Sequence, residues 1–292
     1  SVSRRNFLGA GAAAAAGAAG LAGCAKGLTG GAAAKPLHVG LGLNLLLYTP
    51  TISKDRLDLV KKVADLGYDS VEVPFNDLSV LDAKATRAAC EAAKVSLTSC
   101  CVMMPGTSPT STKPEERKAG VERLKQMVDI TAEMGGKVVA GPLYAPVREL
   151  TGKARTDDEW KWAVEALRTA AEHAAKAKVT LAIEPLNRFE THVLNTVADA
   201  TKLCQEVNSP ALKVQVDTFH ANIEEKDTAA AIRAAGPFLG HFHACENDRG
   251  TPGTGQVKWP EIFAALKDIG YDRLIVIESF AQGMLDLCAA AC

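Results

Sequence analysis

VTLAIEPLNRFE, residues 179–190, is an apolar run that ends in a carboxylate and a proline. Val179 to Ile183 has the length and aliphatic, β-branched character of a buried strand. Pro185 has no N–H with which to continue a ladder, so the strand stops there. An ionised carboxylate in that position is costly unless something pairs with it. What meets Glu184 therefore decides what this strand end is for.

The same unit recurs on both sides. The spacing predicts strands over 38–43, 70–74, 95–102, 137–140, 179–184, 212–217, 239–243 and 273–278. Amphipathic helices are expected over 53–66, 80–94, 115–134, 157–177, 196–207, 227–235 and 259–269. Thr156 with Glu159 three residues on is a capping-box signature, and Gly270 lies just past a helix end. Eight strands, each followed by a helix or the start of one, define an α/β chain of the (β/α)8 TIM-barrel class over residues 36–292. The competing doubly wound sheet often carries a glycine-rich phosphate loop, and no GxGxxG or P-loop follows any strand here. The chain stops soon after Glu278, so the last helix is expected to be truncated.

Residues 1–35 read differently. Ser3-Arg4-Arg5-Asn6-Phe7-Leu8 matches the twin-arginine export pattern, an Ala/Gly-rich apolar stretch follows, and Leu21-Ala22-Gly23-Cys24 resembles a lipoprotein cleavage box. The apolar stretch is a poor spanning helix, being short and mostly alanine and glycine. The expectation is twin-arginine export, lipidation at Cys24, and a periplasmic or membrane-anchored lipoprotein that touches membrane only through its lipid. A flexible tether would then lead into the barrel.

With 292 residues and 47% hydrophobic content the chain can bury a large core, and a net charge of −1 provides no basic field for nucleic acid. None of the eight cysteines forms a CxxC pair, which excludes a zinc ribbon, and setting Cys24 aside leaves an odd number, unlike a disulfide framework.

In such barrels the active site lies at the carboxyl ends of the strands. The second expected strand carries Glu72. The fifth ends at Glu184, and the sixth at Asp217, with His220 beyond it. The seventh carries His241 and His243, followed by Glu246 and Arg249, and the eighth ends at Glu278. Glu184, Asp217, His243 and Glu278 thus close four consecutive strands. Three carboxylates converging on one point repel unless a divalent cation lies between them. Three oxygen donors and one imidazole suit Mn²⁺ or Co²⁺, and also Mg²⁺, better than a thiolate-rich zinc site does. Taken singly, each has an ordinary explanation: Asp217 as a helix cap, His243 as a core histidine, Glu184 paired with Arg188. The coincidence across four strand ends outweighs these.

The segments GLNLLLYT (42–49), VEVPF (71–75), LTSC (97–100), GPLYAP (141–146), EPLNRFE (184–190), VDTFH (216–220), GHFHACENDRG (240–250) and IES (277–279) carry a resemblance. The chain resembles the xylose-isomerase-like barrel superfamily of sugar isomerases and epimerases, and within it the ketose 3-epimerases that act on D-tagatose and D-psicose. The resemblance implies that Glu184, Asp217, His243 and Glu278 are metal ligands. It also implies that His220, Arg249, Glu190 and Glu72 contact a small sugar, and that the protein is a homodimer or homotetramer.

The chemistry expected is epimerisation at C3 of a ketose through an enediolate. Glu184 and Glu278 would act as the acid/base pair, and His220 and Arg249 would donate to O1 or O2. Aldose–ketose isomerisation, or isomerisation or elimination on a keto-glycoside, would use nearly the same parts. A non-catalytic sugar-binding lipoprotein would not need four convergent ligands. A DNA-repair phosphodiesterase on this barrel would need more histidines and a basic face. Residues 250–259, with three small or rigid residues at Pro252, Gly253 and Gly255, are expected to form a loop over the site.

Overall fold

The computed structural model describes residue 37 and residues 39–280. The expected export signal with Cys24, the start of the first expected strand at His38, and the expected short last helix lie outside the described residues.

Eight parallel strands close into a barrel in chain order: β1 Gly40–Asn44, β2 Ser70–Pro74, β3 Ser96–Cys100, β4 Val138–Gly141, β5 Thr180–Ile183, β6 Leu212–Asp217, β7 Leu239–Ala244 and β8 Leu274–Ile277. Closure is direct, with Gly40 to Leu43 of β1 paired against Leu274 to Ile277 of β8. The strands are short aliphatic runs, almost fully buried because helices cover their outer faces. Around them lie α1 Asp58–Asp65, α2 Ala83–Ala93, α3 Pro114–Glu133, α4 Asp157–Ala177, α5 Val197–Val207, α6 Thr218–Glu224, α7 Thr228–Ala235 and α8 Trp259–Asp268.

Helix boundaries follow local chemistry. The expected capping box is present at α4: Thr156 Oγ1 accepts from the Glu159 backbone N–H, and Glu159 reaches back to the Thr156 N–H. The helix expected over 53–66 divides into a single 3₁₀ turn at Lys54–Arg56 and α1. One helix escaped the sequence pattern. α6 begins on the residue after Asp217, with no connecting loop, and its seven residues are too few for a periodicity to stand out.

The barrel interior is apolar on one level and polar on the next. Asn44, Glu72, Thr98, Gln215, Asp217, His241 and His243 are all buried. Gly141, at the end of β4, is what lets β3 and β5 close around this end. Its φ is +128°, and a Cβ there would lie 2.2 Å from the Cys101 carbonyl oxygen. The Gly141 carbonyl in turn accepts from the Glu184 N–H at 3.0 Å, which seats the first site residue.

Candidate active site

β5 delivers Glu184 just past its last residue, as its place after the apolar run suggested. Its backbone is pinned on both sides: the N–H donates to Gly141, and the Tyr144 hydroxyl donates to its carbonyl at 2.9 Å. Arg188 does not reach it. That guanidinium and its own backbone N–H are committed to Glu224, at 2.7–3.2 Å. Glu184 Oε1 is buried with no hydrogen-bond partner.

Asp217 ends β6 and does two things at once. Its Oδ1 caps α6 by accepting from the Phe219 and His220 N–H groups, while Oδ2 turns into the barrel mouth. The capping and ligand roles of this residue are therefore compatible. β7 presents His243, whose Nδ1 lies 3.3 Å from Glu278 Oε2 and 3.7 Å from Asp217 Oδ2. Glu278 follows β8, its N–H bonded to the Ala244 carbonyl. One donor atom from each of Glu184, Asp217, His243 and Glu278 falls within 4.8 Å of the others, and all four residues are buried.

The electrostatics test whether a cation fits. Burial and the neighbouring Asp217 charge push the Glu184 carboxyl well above its usual range. Burial alone would lower the His243 imidazole, but Glu72 and Glu278 outweigh it and raise that pKa well above the ordinary value. Burial acts to raise Glu278 as well, yet His243 and Arg249 hold it below the usual carboxylate range. Glu184 Oε1 and His243 Nδ1 are the buried polar atoms here without hydrogen-bond partners. Two unpartnered ligand atoms in a cluster of excess negative charge fit a divalent cation held by oxygen and nitrogen. Protons and a bound metal would compete for Glu184 and His243, whose pKa values are raised in the metal-free protein. Affinity for Mn²⁺ is thus expected to fall as pH drops from 8 to 6, roughly tenfold per pH unit for each proton displaced. Calorimetric titration at several pH values, in buffers of different ionisation enthalpy, checks this. A pH-independent Kd with no proton release contradicts it.

Three of the four expected substrate contacts, His220, Arg249 and Glu190, lie at the mouth. A cavity of about 580 Å³ is lined by Glu184, Glu190, His220, Arg249 and Glu278, with Phe219 and Phe280 among the apolar walls. Burial and the adjacent Arg249 push the His220 pKa down to about 3, so the ring is neutral. The Asn187 backbone N–H donates to Nδ1 at 3.1 Å, which assigns the proton to Nε2. Asn187 thus orients His220. Nε2 then lies 2.9 Å from Arg249 Nη2, so two donors face each other and both lack an acceptor. Arg249 itself has φ of +65° and is stacked against Phe219, with its guanidinium carbon 4.1 Å from the ring centroid. Its Nη1 donates to Asp217 Oδ2 and to Glu278 Oε2, each at 3.0 Å.

Two expectations are corrected. Glu72 does not line the cavity. It lies two residues before the end of β2, fully buried below the ligand set, and its oxygens are taken by barrel-interior donors. Residues 250–259 contribute nothing to the cavity lining, and the buried Glu246 carboxylate fastens the segment through Gly253 N–H, Val257 N–H and Trp259 Nε1. Sequence reasoning missed Asn44, which closes β1 and donates to both Glu72 and Glu278, at 3.1 and 2.9 Å. Its place at a strand end was the available signal, but a neutral amide carries no charge to draw attention.

The fold and the site define a (β/α)8 barrel with a carboxylate-rich, cation-competent centre at the carboxyl ends of β5 to β8. The Xylose isomerase-like TIM barrel family matches residues 60–289, and the chain belongs to that family. It is 34% identical over 234 residues to a D-psicose 3-epimerase of Agrobacterium fabrum, covering 76% of this chain and 78% of the relative. An L-ribulose 3-epimerase of a Methylomonas species is 32% identical over 223 residues, with 76% and 78% covered. The crystal structure of a Methylomonas D-allulose 3-epimerase in complex with D-allulose superposes with a TM-score of 0.80 at 29% identity, covering 85% of this chain and 86% of that one.

Proposed function

We infer that this chain is an isomerase that epimerises a small free ketose at C3, and that Glu184, Asp217, His243 and Glu278 hold Mn²⁺ or Co²⁺, with Mg²⁺ as the third candidate. The observation that carries this is the division of labour within the ligand set. Glu184 and Glu278 also line the cavity, whereas Asp217 and His243 do not. The two carboxylates that face a substrate are thus the two able to carry its proton, and relatives named D-psicose and L-ribulose 3-epimerases support C3 as the carbon concerned.

The C3 hydrogen of a ketose is acidified by the adjacent carbonyl. A bound divalent cation would supply Lewis-acid stabilisation of the negative charge that develops on the substrate oxygens. One of the two glutamates removes the C3 proton, leaving an enediolate, and the other returns a proton to the opposite face. They stand on β5 and β8, with the two intervening strands supplying Asp217 and His243 between them. His220 Nε2–H and Arg249 Nη2–H are a donor pair in need of one acceptor, and a ketose O1 or O2 provides it. Glu190, on the cavity wall, accepts from a substrate hydroxyl. Phe219 and Phe280 supply apolar faces against the sugar's C–H groups.

Proton exchange tests the reading. The protein from residue 36 onward, loaded with Mn²⁺ or Co²⁺, is incubated with a panel of free ketoses in D₂O and followed by NMR after chelation of the metal. Deuterium at C3 with inversion is the expected result. Deuterium at C1 instead, or no exchange with any ketose by a folded, metal-loaded protein, overturns it.

We propose also that the barrel works outside the cytoplasm, exported through Arg4-Arg5 and held by lipid on Cys24. Cys24→Ala is expected to move most of the protein from the membrane pellet to the soluble periplasmic fraction. An unchanged pellet fraction counts against lipidation there.

A further inference from the structure

Beneath the ligand set lies a second buried cluster, in which Glu72 and His241, neither used by the mechanism above, join His243 of the ligand set. Its distances are those of hydrogen bonds. Glu72 Oε1 lies 2.5 Å from His243 Nε2, and Glu72 Oε2 lies 2.7 Å from His241 Nε2. Donor atoms sharing a metal at about 2.1 Å would stand further apart than this. The Thr98 hydroxyl adds a third donor, to Oε2 at 2.9 Å, and Asn44 Nδ2 a fourth, to Oε1 at 3.1 Å. A carboxylate has about four lone-pair sites, so this one is saturated. All five residues are buried, with Glu72 and His243 at 0% exposure, and no water-filled route is needed to satisfy any of them.

Two of the four bonds reach the metal ligands. The bond from His243 Nε2 requires a proton on that nitrogen, which leaves Nδ1 as the lone-pair nitrogen, and Nδ1 is the atom that faces Asp217 and Glu278. Asn44 bridges the other way, since its one amide group donates both to Glu72 Oε1 and to Glu278 Oε1. Its orientation is not free to flip, because Asn44 Oδ1 accepts from the Leu46 backbone N–H.

We propose that Glu72 is a positioning residue: it selects the His243 tautomer that presents Nδ1 to the cation and, through Asn44, holds Glu278 at the same site. Outer partners of this kind typically change metal affinity by 10–100-fold when removed. The proposal rests on the reading that Glu184, Asp217, His243 and Glu278 bind a divalent cation. It assigns no substrate contact to Glu72.

Glu72→Gln keeps the shape but replaces one acceptor oxygen with a donor, so it cannot accept from both histidines and Asn44 at once. Mn²⁺ binding by the whole barrel, measured by electron paramagnetic resonance of the free ion, is the primary readout. The expected result is a Kd raised 10–100-fold with the circular dichroism spectrum unchanged. The second readout is the ¹⁵N shifts of histidine-labelled, Mg²⁺-loaded protein. The wild type is expected to show His243 protonated at Nε2 and ligating through Nδ1, and the variant a mixed or reversed tautomer. Should Glu72→Gln fail to fold, Asn44→Leu carries the test, with an expected Kd increase of about tenfold. A Kd within threefold of wild type in the folded variant, or an unchanged His243 tautomer, overturns the proposal while leaving the metal site intact. Absence of Mn²⁺ binding by the wild type overturns the metal reading itself, and this one with it.

Discussion

Glu278→Gln is expected to lower kcat/KM for ketose epimerisation by 10³- to 10⁴-fold or more. Glu278 is a cavity wall, a proposed ligand of the cation and the partner of Arg249. Loss of a positioned proton carrier alone removes about 10²- to 10⁴-fold, and loss of an anionic ligand adds to that. The fold should survive, because glutamine keeps the oxygen that accepts from Asn44 Nδ2 at 2.9 Å and the residue's backbone bond to Ala244. Deuterium incorporation at C3 and the Mn²⁺ affinity, measured on the same preparation, separate the two roles. If Glu278 serves only as a ligand, saturating Mn²⁺ restores exchange. If it also carries the proton, exchange stays low in the loaded variant. Wild-type exchange rates without added metal would remove Glu278 from the site altogether.

Arg249→Met should destabilise the metal-free protein by about 3–5 kcal/mol, and the metal-loaded protein by markedly less. In the metal-free chain Arg249 Nη1 lies 3.0 Å from both Asp217 Oδ2 and Glu278 Oε2, and the side chain is only 12% exposed. Removing one partner of a buried ion pair leaves an uncompensated charge, and the cost falls in that range. A divalent cation on the same carboxylates supplies the missing charge, so Mn²⁺ rescues the variant. The thermodynamic cycle then requires the variant to bind Mn²⁺ more tightly, tenfold for every 1.4 kcal/mol of difference. Urea unfolding in EDTA and in saturating Mn²⁺ measures both arms. Equal losses in the two conditions would show that Arg249 and the cation do not share these carboxylates. Substrate turnover should fall as well, because the donor paired with His220 is gone.

Much of the architecture is legible in the order of residues alone. The eight strands lie within a residue or two of where the aliphatic runs put them, because a parallel strand buried on both faces must be apolar almost throughout. The four proposed ligand positions follow from the same logic. A charged residue ending such a run has only the barrel mouth to face, and Glu184, Asp217 and Glu278 stand there. Depth is not legible in this way. Glu72 sits two residues before the end of β2, and a period of two keeps it on the interior side but one level down. There it meets His241 and His243 from across the barrel, which no spacing along the chain announces. Asn44 and Thr98 escape notice for the same reason, as neutral residues whose partners are 28 and 26 positions away.

By itself, the sequence determined the order and class of elements, their caps, and which ionisable groups end the strands. These depend on local periodicity, on backbone donors within a turn, and on the cost of burying charge anywhere else. Only the tertiary structure decided what each group is bonded to. The Asn187 N–H, held above α6, sets the His220 proton on Nε2. Arg188 goes to Glu224 and leaves Glu184 free for the site. Glu72 turns inward to two histidines rather than outward to a sugar. Hydrogen bonds and charge compensation act over about 3 Å, and in a closed barrel those distances are set by the stagger between strands far apart in the chain.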